Sequence, residues 1–314
     1  MNYLKDYREG EKFVGTYLCK QKQILKTKAG KTYYSLTLQD KTGTADGKIW
    51  ELNNGIANFE PMDYIHCEGM VTSFQGNLQM NISRVRISDE GEYDPTDYVP
   101  CTNKDVGEMF SRILKYVASV QNKYLRKILE MYFVENKEFV DAFKKHSAAK
   151  SVHHGFMGGL LEHTLSVTDM CQYFAEHYPM IHRDLLITAA LFHDMGKIQE
   201  ISDFPMNDYT DDGQFLGHIY IGARCMENAA AQIPNFPPKL KNELVHCILA
   251  HHGKMEFGSP KVPAIMEAMA LHMADNADAK LQTLTEVFTQ AGDNMGWLGF
   301  NRMFESNLRK TSEE

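Results

Sequence analysis

The chain has no long apolar run. No stretch of its 314 residues approaches the ~20 consecutive apolar positions of a membrane-spanning helix. The first nine residues carry Lys5, Asp6, Arg8 and Glu9 where a secretion signal would need an apolar core. The expectation is a cytoplasmic protein with no membrane partner. Paired cysteines are also missing. Cys19, Cys67, Cys101, Cys171, Cys225 and Cys247 never fall in a CxxC spacing, which speaks against thiolate metal knuckles and disulfide frameworks and reads as reduced, mostly buried thiols. There is no internal repeat and no low-complexity tract.

What is present is ordinary for a folded protein: 43% of residues are apolar and 24% charged. A length of 314 residues suits two domains, because single cores rarely grow much past about 250 residues. The net charge of −8 opposes a polyanionic partner until its distribution is considered. Residues 1–88 hold 12 lysines and arginines against 9 acids, a local balance of +3 that leaves −11 for the rest. Lys20, Lys22, Lys26, Lys28 and Lys31 fall on one expected hairpin. A local patch matters more to a phosphate backbone than the total charge does.

From Phe13 to Ser88 the pattern is strand-like. Phe13–Leu25 alternates loosely, Ala29-Gly30 makes a turn, and Thr32–Gln39 alternates well, with Tyr34, Leu36 and Leu38 on one face. Thr44–Leu52 continues the meander, a short helix is expected over 53–60, and Tyr64–Phe74 and Leu78–Ile87 form a hairpin around Gln75-Gly76-Asn77. Five strands with a helix between the third and fourth is the order of an OB-fold. Such barrels commonly hold single strands by aromatic stacking beside basic groups. Tyr33, Trp50 and Phe74 are the candidate stacking aromatics, and Lys26 and Lys28 the candidate phosphate contacts. Residues 89–104 are acidic, interrupted by Pro95 and Pro100, and without period, and read as a linker.

Beyond it the period is helical: 106–120, 124–133, 137–146, 160–178, 184–194, 218–232, 240–252 and 262–290 place apolar residues at three- and four-residue steps. The expected architecture is therefore a small all-β barrel over 1–88, a linker over 89–104 and an all-α domain over 105–314. One exception is 208–215, where Asp212-Gly213 suggests a small hairpin. Near the C-terminus, Gly296-Trp297-Leu298-Gly299-Phe300 reads as an apolar docking surface, which leaves a homo-oligomer open.

The helical half carries widely spaced histidines and aspartates: His163, His193-Asp194, His218, His251-His252 and Asp275. His193-Asp194 ends the apolar run Leu185 to Phe192, and Asp275 sits within an apolar helix, so these polar groups need buried partners. Imidazole with carboxylate suits Mn, Fe, Zn, Co or Ni, and points to metal-assisted hydrolysis. Gly196 suggests a close backbone approach, and Lys197 offers a cation to a phosphoryl oxygen. Glu162 is a candidate orienter of its neighbour His163. His153 and His154 are candidate contacts to a scissile phosphate or a terminal ribose.

His163, His193-Asp194 and Asp275 match the H…HD…D pattern, and the helical half resembles the HD-domain phosphohydrolases. His218 and His251 resemble the two extra ligands of subfamilies that hold two ions. The barrel-like first third, the segment His153-His154-Gly155-Phe156-Met157-Gly158-Gly159-Leu160-Leu161-Glu162-His163-Thr164, and Leu216-Gly217-His218-Ile219 together resemble the YhaM family of bacterial 3′-5′ exoribonucleases. The resemblance implies an exonuclease trimming single-stranded RNA, with single-stranded DNA a further candidate. It also implies two divalent ions, Mn²⁺ first, with Co²⁺, Fe²⁺, Ni²⁺ and Zn²⁺ as alternatives. By the family pattern His163, His193, Asp194 and Asp275 hold one ion. His218, His251 and a shared Asp194 hold the second, with His252 a further ligand or an acid.

Three other readings stay open. A nucleotide phosphohydrolase would use the four-ligand core but leaves the barrel, His218 and His251 unexplained. A cyclic-dinucleotide phosphodiesterase shares the richer ligand set, yet the chain continues Gly253-Lys254-Met255 after His252 and lacks that group's Gly-Tyr-Pro signature. A single-strand-binding adaptor with a vestigial site would not be expected to keep every ligand.

Overall fold

The computed structural model describes residues 3–74, 76–150 and 154–312. They form two compact units, one ending at Cys101 and the other running from Thr102, with Phe204–Met206 grouping with the first. His153, a candidate substrate contact, lies outside the described residues.

The first unit is built on β1 (Lys12–Lys26), β2 (Thr32–Asp40), β3 (Gly43–Ile49), β4 (Tyr64–Phe74) and β5 (Asn77–Ile87), closed in the order β1-β2-β3-β5-β4. β1 is long enough to serve two neighbours: its first half pairs with β4 and its second half with β2, with an irregularity between Cys19 and Gln21 where it turns from one to the other. The barrel closes through a short parallel contact of β3 with β5 at Asp46–Gln79, Gly47–Met80 and Lys48–Asn81. Period-two alternation sends Phe13, Tyr17, Leu36, Leu38, Ile49, Ile65, Val71 and Met80 inward to one core. Gly69 sits at a register shift between β4 and β5, where a Cβ would stand 2.0 Å from the Asn81 carbonyl oxygen, so only glycine allows the strands to meet.

Two expectations are corrected here. Residues 53–60 form no helix. Their backbone is spent on β5, with Ala57 N–H donating to Val85 at 2.9 Å and Val85 N–H to Gly55 at 2.9 Å, while the Asn53 side chain accepts from the Gly55 amide. Nor is the 89–104 stretch free chain. Tyr93 stacks on Tyr64 at 4.1 Å, Tyr98 and Val99 are buried, Asp97 pairs with Lys41 at 2.6 Å, and Gln39 donates to the Tyr98 carbonyl at 2.9 Å. Its acids and prolines suggested a linker, but its tyrosines have a barrel to bury against.

The second unit holds α1 (Val106–Ser119), α2 (Lys123–Glu130), α3 (Lys137–Lys145), α4 (Gly159–His177), α5 (Arg183–Phe192), α6 (Lys197–Glu200), α7 (Asp211–Ala231), α8 (Pro238–Ala250) and α9 (Met266–Gln290). Side-chain caps begin several of them: Asp105, Asn122, Asn136 and Thr210 each accept from an amide of the first turn. Every residue of α5 from Leu185 to Phe192 is buried, which makes it the central rod against which α4, α8 and α9 pack. The expected hairpin at 208–215 is overturned, because Thr210 caps α7 through the Gly213 amide at 2.9 Å and Asp212-Gly213 lies inside the helix. α7 is interrupted at Gly217, whose φ of 71° and ψ of 152° are not helical and suit glycine alone. No described helix is long and apolar enough to cross a membrane. Trp297 and Phe300 are exposed on a terminal tongue paired through Phe300–Asn301 and Ser306–Asn307.

Candidate metal centre

Helix ends set the first ligands. His193 and His251 are the C-caps of α5 and α8, and each donates Nδ1 to the carbonyl three residues back, at 2.7 Å to Ala190 and 2.6 Å to Ile248. Carbonyls in a last helical turn lack amide partners, so these bonds satisfy both groups and turn Nε2 inward. His163 in α4 and His218, directly after the kink, are held by carboxylates instead. His163 Nδ1 donates to Asp278 at 2.7 Å, and His218 Nδ1 donates to Glu200 at 2.9 Å.

Asp194 stands between the four rings. Its Oδ2 lies 3.3 Å from His163 Nε2 and 3.4 Å from His193 Nε2, and its Oδ1 lies 3.5 Å from His218 Nε2 and 3.6 Å from His251 Nε2. Asp275 on α9 joins the first pair, with Oδ1 3.2 Å from His163 Nε2 and 3.9 Å from His193 Nε2. Asp194 Oδ1, His218 Nε2 and His251 Nε2 are buried with no hydrogen-bond partner among the described residues. Lone-pair atoms gathered in this way are costly unless a cation sits among them. An imidazole-carboxylate set is what divalent transition ions take. The residues fit the metal that such a centre implies.

The electrostatics follow from the crowding. Burial alone would raise the Asp194 carboxyl, but Lys197, His193 and His163 outweigh it and hold it well below the usual carboxylate range. Asp275 is kept low against burial by His163 and His193. Lys197, the expected phosphate contact, places Nζ 2.6 Å from Asp194 Oδ2, and that carboxylate holds its ammonium above its ordinary value despite burial. His252 donates Nδ1 to the Phe257 carbonyl at 2.8 Å and groups with His218 and His251. Burial, then the neighbouring His251, push its imidazole down to about 4. A neutral ring suits a ligand.

Other expected residues fall elsewhere. Glu162 is no orienter of His163, because its carboxylate accepts from Thr102 Oγ1 and pairs with Lys104 at 2.9 Å. His154 places Nε2 2.9 Å from Asp278 Oδ2, and its Nδ1 has no partner among the described residues. Gly196 meets the approach expected of it: a Cβ there would stand 2.1 Å from the His218 carbonyl oxygen. Asp278 and Glu200 were missed. The first could have been found, since it follows Asp275 by one helical turn, whereas nothing in the spacing around Glu200 marked it.

In the barrel unit, Tyr33 and Trp50 stack on each other at 4.6 Å, and Trp50 donates to Asn81 Oδ1 at 3.0 Å while remaining 40% exposed. Phe74, 61% exposed, lines a separate hollow of about 590 Å³ with Leu4, Asp46, Leu78 and Gln79. Lys26 and Lys28 are exposed. Lys22 is turned onto the Tyr34 and Phe59 rings, at 4.8 and 4.5 Å, and Lys31 pairs with Glu51 at 3.2 Å, so the basic hairpin is smaller than its sequence suggested.

The first unit is a closed five-stranded barrel, the H…HD…D residues converge in the helical unit, and the HD domain family matches residues 160–280. Proteins described as 3′-5′ exoribonuclease YhaM are similar along most of the chain. That of Bacillus subtilis is 31% identical, covering 81% of this chain and 81% of its own. That of Listeria innocua is 32% identical, covering 90% of each. That of Geobacillus sp. is 32% identical, covering 81% of this chain and 78% of its own. The chain belongs to the YhaM family of 3′-5′ exoribonucleases. Among solved structures, the second OB-fold domain of replication protein A from Methanococcus maripaludis shares 20% identity, covering 29% of this chain and 98% of its own at a TM-score of 0.24. The barrel is identified here by its own strand order.

Proposed function

We propose that the protein is a cytoplasmic, metal-dependent 3′-5′ exoribonuclease that takes single-stranded RNA, with single-stranded DNA a further candidate substrate, and releases nucleoside 5′-monophosphates. The observation that carries this reading is the division of Asp194, one oxygen toward His163 and His193 and the other toward His218 and His251. A carboxylate so placed can serve two seats at once, with Asp275 completing the first and His252 available to the second. Mn²⁺ is the proposed ion. Held by these residues, a pair of divalent ions would supply Lewis acidity at the phosphoryl group. The protein's part is to fix imidazole Nε2 atoms by their Nδ1 partners, to keep Asp194 and Asp275 ionised, and to exclude bulk water by burial. Lys197, 2.6 Å from Asp194, would lend its charge to a phosphoryl oxygen as well, and His154, whose Nδ1 has no partner among the described residues, would contact the strand. In the barrel unit, the Tyr33–Trp50 stack and Phe74 offer flat faces to bases, with Lys26 and Lys28 for phosphates.

The test is incubation of metal-loaded protein with end-labelled single strands of RNA and DNA, with products resolved at nucleotide steps. Progressive shortening from the 3′ end with release of 5′-monophosphates is expected. Intact strands alongside hydrolysed mononucleotides or cyclic dinucleotides would move the assignment to those substrates, and binding with no hydrolysis would leave an adaptor.

A further inference from the structure

The four inward imidazoles must each present Nε2 as a lone pair, which requires the proton to be held on Nδ1. They do this in two ways. His193 and His251 use backbone carbonyls of their own helices, at 2.7 and 2.6 Å, whereas His163 and His218 use the side chains of Asp278 and Glu200, at 2.7 and 2.9 Å. The pairing is regular: each oxygen of Asp194 faces one ring backed by a carbonyl and one backed by a carboxylate. We propose that Asp278 and Glu200 are positioning residues that set the metal affinities of the two seats separately, Asp278 for the seat of His163 and Glu200 for that of His218. The inference rests on the two-seat reading above.

Each carboxylate lies on the Nδ1 side of the ring it backs, away from the Nε2 atoms that gather on Asp194. Asp278 is further committed. Its Oδ2 also takes the His154 Nε2 contact at 2.9 Å, and its Oδ1 accepts from Ser166 Oγ. α9 thus offers two acids three residues apart, Asp275 toward the Nε2 atoms of His163 and His193 and Asp278 toward the Nδ1 of His163. Glu200 does more than hold a ring. The same Oε1 accepts the His218 backbone N–H at 2.9 Å, directly after the Gly217 kink, so one oxygen fixes both where α7 restarts and how its first imidazole is turned. A carboxylate behind a ligating imidazole fixes its orientation and raises its basicity, and losing one typically costs about 10–100-fold in metal affinity. Backbone carbonyls cannot be removed by side-chain substitution, so these two acids are where mutation can tune each seat.

The test is calorimetric titration of Mn²⁺ into the metal-stripped full chain, with Asp278→Asn and Glu200→Gln each placed in two backgrounds. His218→Ala leaves the first seat and His163→Ala the second. In the His218→Ala background, Asp278→Asn is expected to weaken the remaining site by roughly 10–100-fold while Glu200→Gln leaves it unchanged. The pattern should reverse in the His163→Ala background. A merely structural role would lower both seats together, and equal effects, or none, would overturn the inference. A wild-type titration that saturates at one ion removes the two-seat reading and this inference with it. Where Asp278→Asn does not fold, Ser166→Ala, which keeps the carboxylate but frees its Oδ1, is expected to weaken the first seat alone. Unchanged affinity there would also overturn the assignment.

Discussion

Asp194 is the residue on which both halves of the centre depend, so its replacement separates charge from shape. Asp194→Asn keeps the size and removes the negative charge shared between two imidazole pairs. Loss of bound metal and a fall in hydrolysis of more than about 100-fold are expected, beyond the usual cost of an outer partner, with the helical circular-dichroism signal kept; retained activity would refute a bridging role. His252 gives a pH-dependent counterpart. Its imidazole is pushed down to about 4 by burial and His251, so in the unfolded chain it takes up a proton that the folded chain refuses. The stability it contributes is complete above its free value of about 6.5 and is lost as pH falls toward about 4. In metal-stripped protein, His252→Gln should flatten that acid limb, as read from urea midpoints across this range. These residues were legible because a polar side chain is conspicuous in an apolar helix. Asp278 was legible by its spacing, one helical turn beyond Asp275, but was passed over because its helix already carried an assigned ligand, and Glu200 was not legible, because α6 is too short to show a period.

Elements place the ligands by close backbone contact. At Gly196, between α5 and α6, a Cβ would meet the His218 carbonyl oxygen at 2.1 Å and the Gly222 amide nitrogen at 2.9 Å. Gly196→Ala should therefore push α7 away, costing about 1–3 kcal/mol of unfolding free energy and releasing metal from the His218 side first. Denaturant titration with metal analysis on the same samples checks both, and a variant with wild-type stability and metal content would contradict the packing account. Helices that bury a full face were readable nearly to their ends, as for α1 and α5. α7 was not, because Asp212-Gly213 carries the same dipeptide signal as a hairpin, and the Thr210 cap three residues before Gly213, a local helix-start signal, outweighs it. The missing helix at 53–60 has a long-range origin: those residues could coil locally, but β5 offers their amides and carbonyls better-placed partners.

The candidate metal ligands all lie in the second unit and the candidate stacking aromatics in the first, and the boundary between the units falls after Cys101 rather than after Ser88, since truncation at 88 would strip Tyr93 and Tyr98 from the barrel they cover. A protein beginning at Thr102 should bind long single-stranded RNA more weakly and with a shallower salt dependence, losing about 1–3 kcal/mol for each base no longer stacked, yet still hydrolyse a small phosphodiester slowly. Filter binding across salt concentrations would decide it, and unchanged affinity would give the barrel another task. The two-domain plan was visible in the change of period; the packing of 93–99 was not, because aromatic residues among acids and prolines carry no repeat to follow. The double service of β1 bears on how the protein is made. Its C-terminal half finds β2 within a few residues, but its N-terminal half must wait for β4, whose partners begin at Tyr64. At about 5–20 residues per second of synthesis, the ribosome holds a half-paired, sticky edge at Phe13 and Val14 for seconds before the barrel can shut. Slowed translation between β2 and β4 would therefore favour aggregation of nascent chains without altering one contact of the finished enzyme.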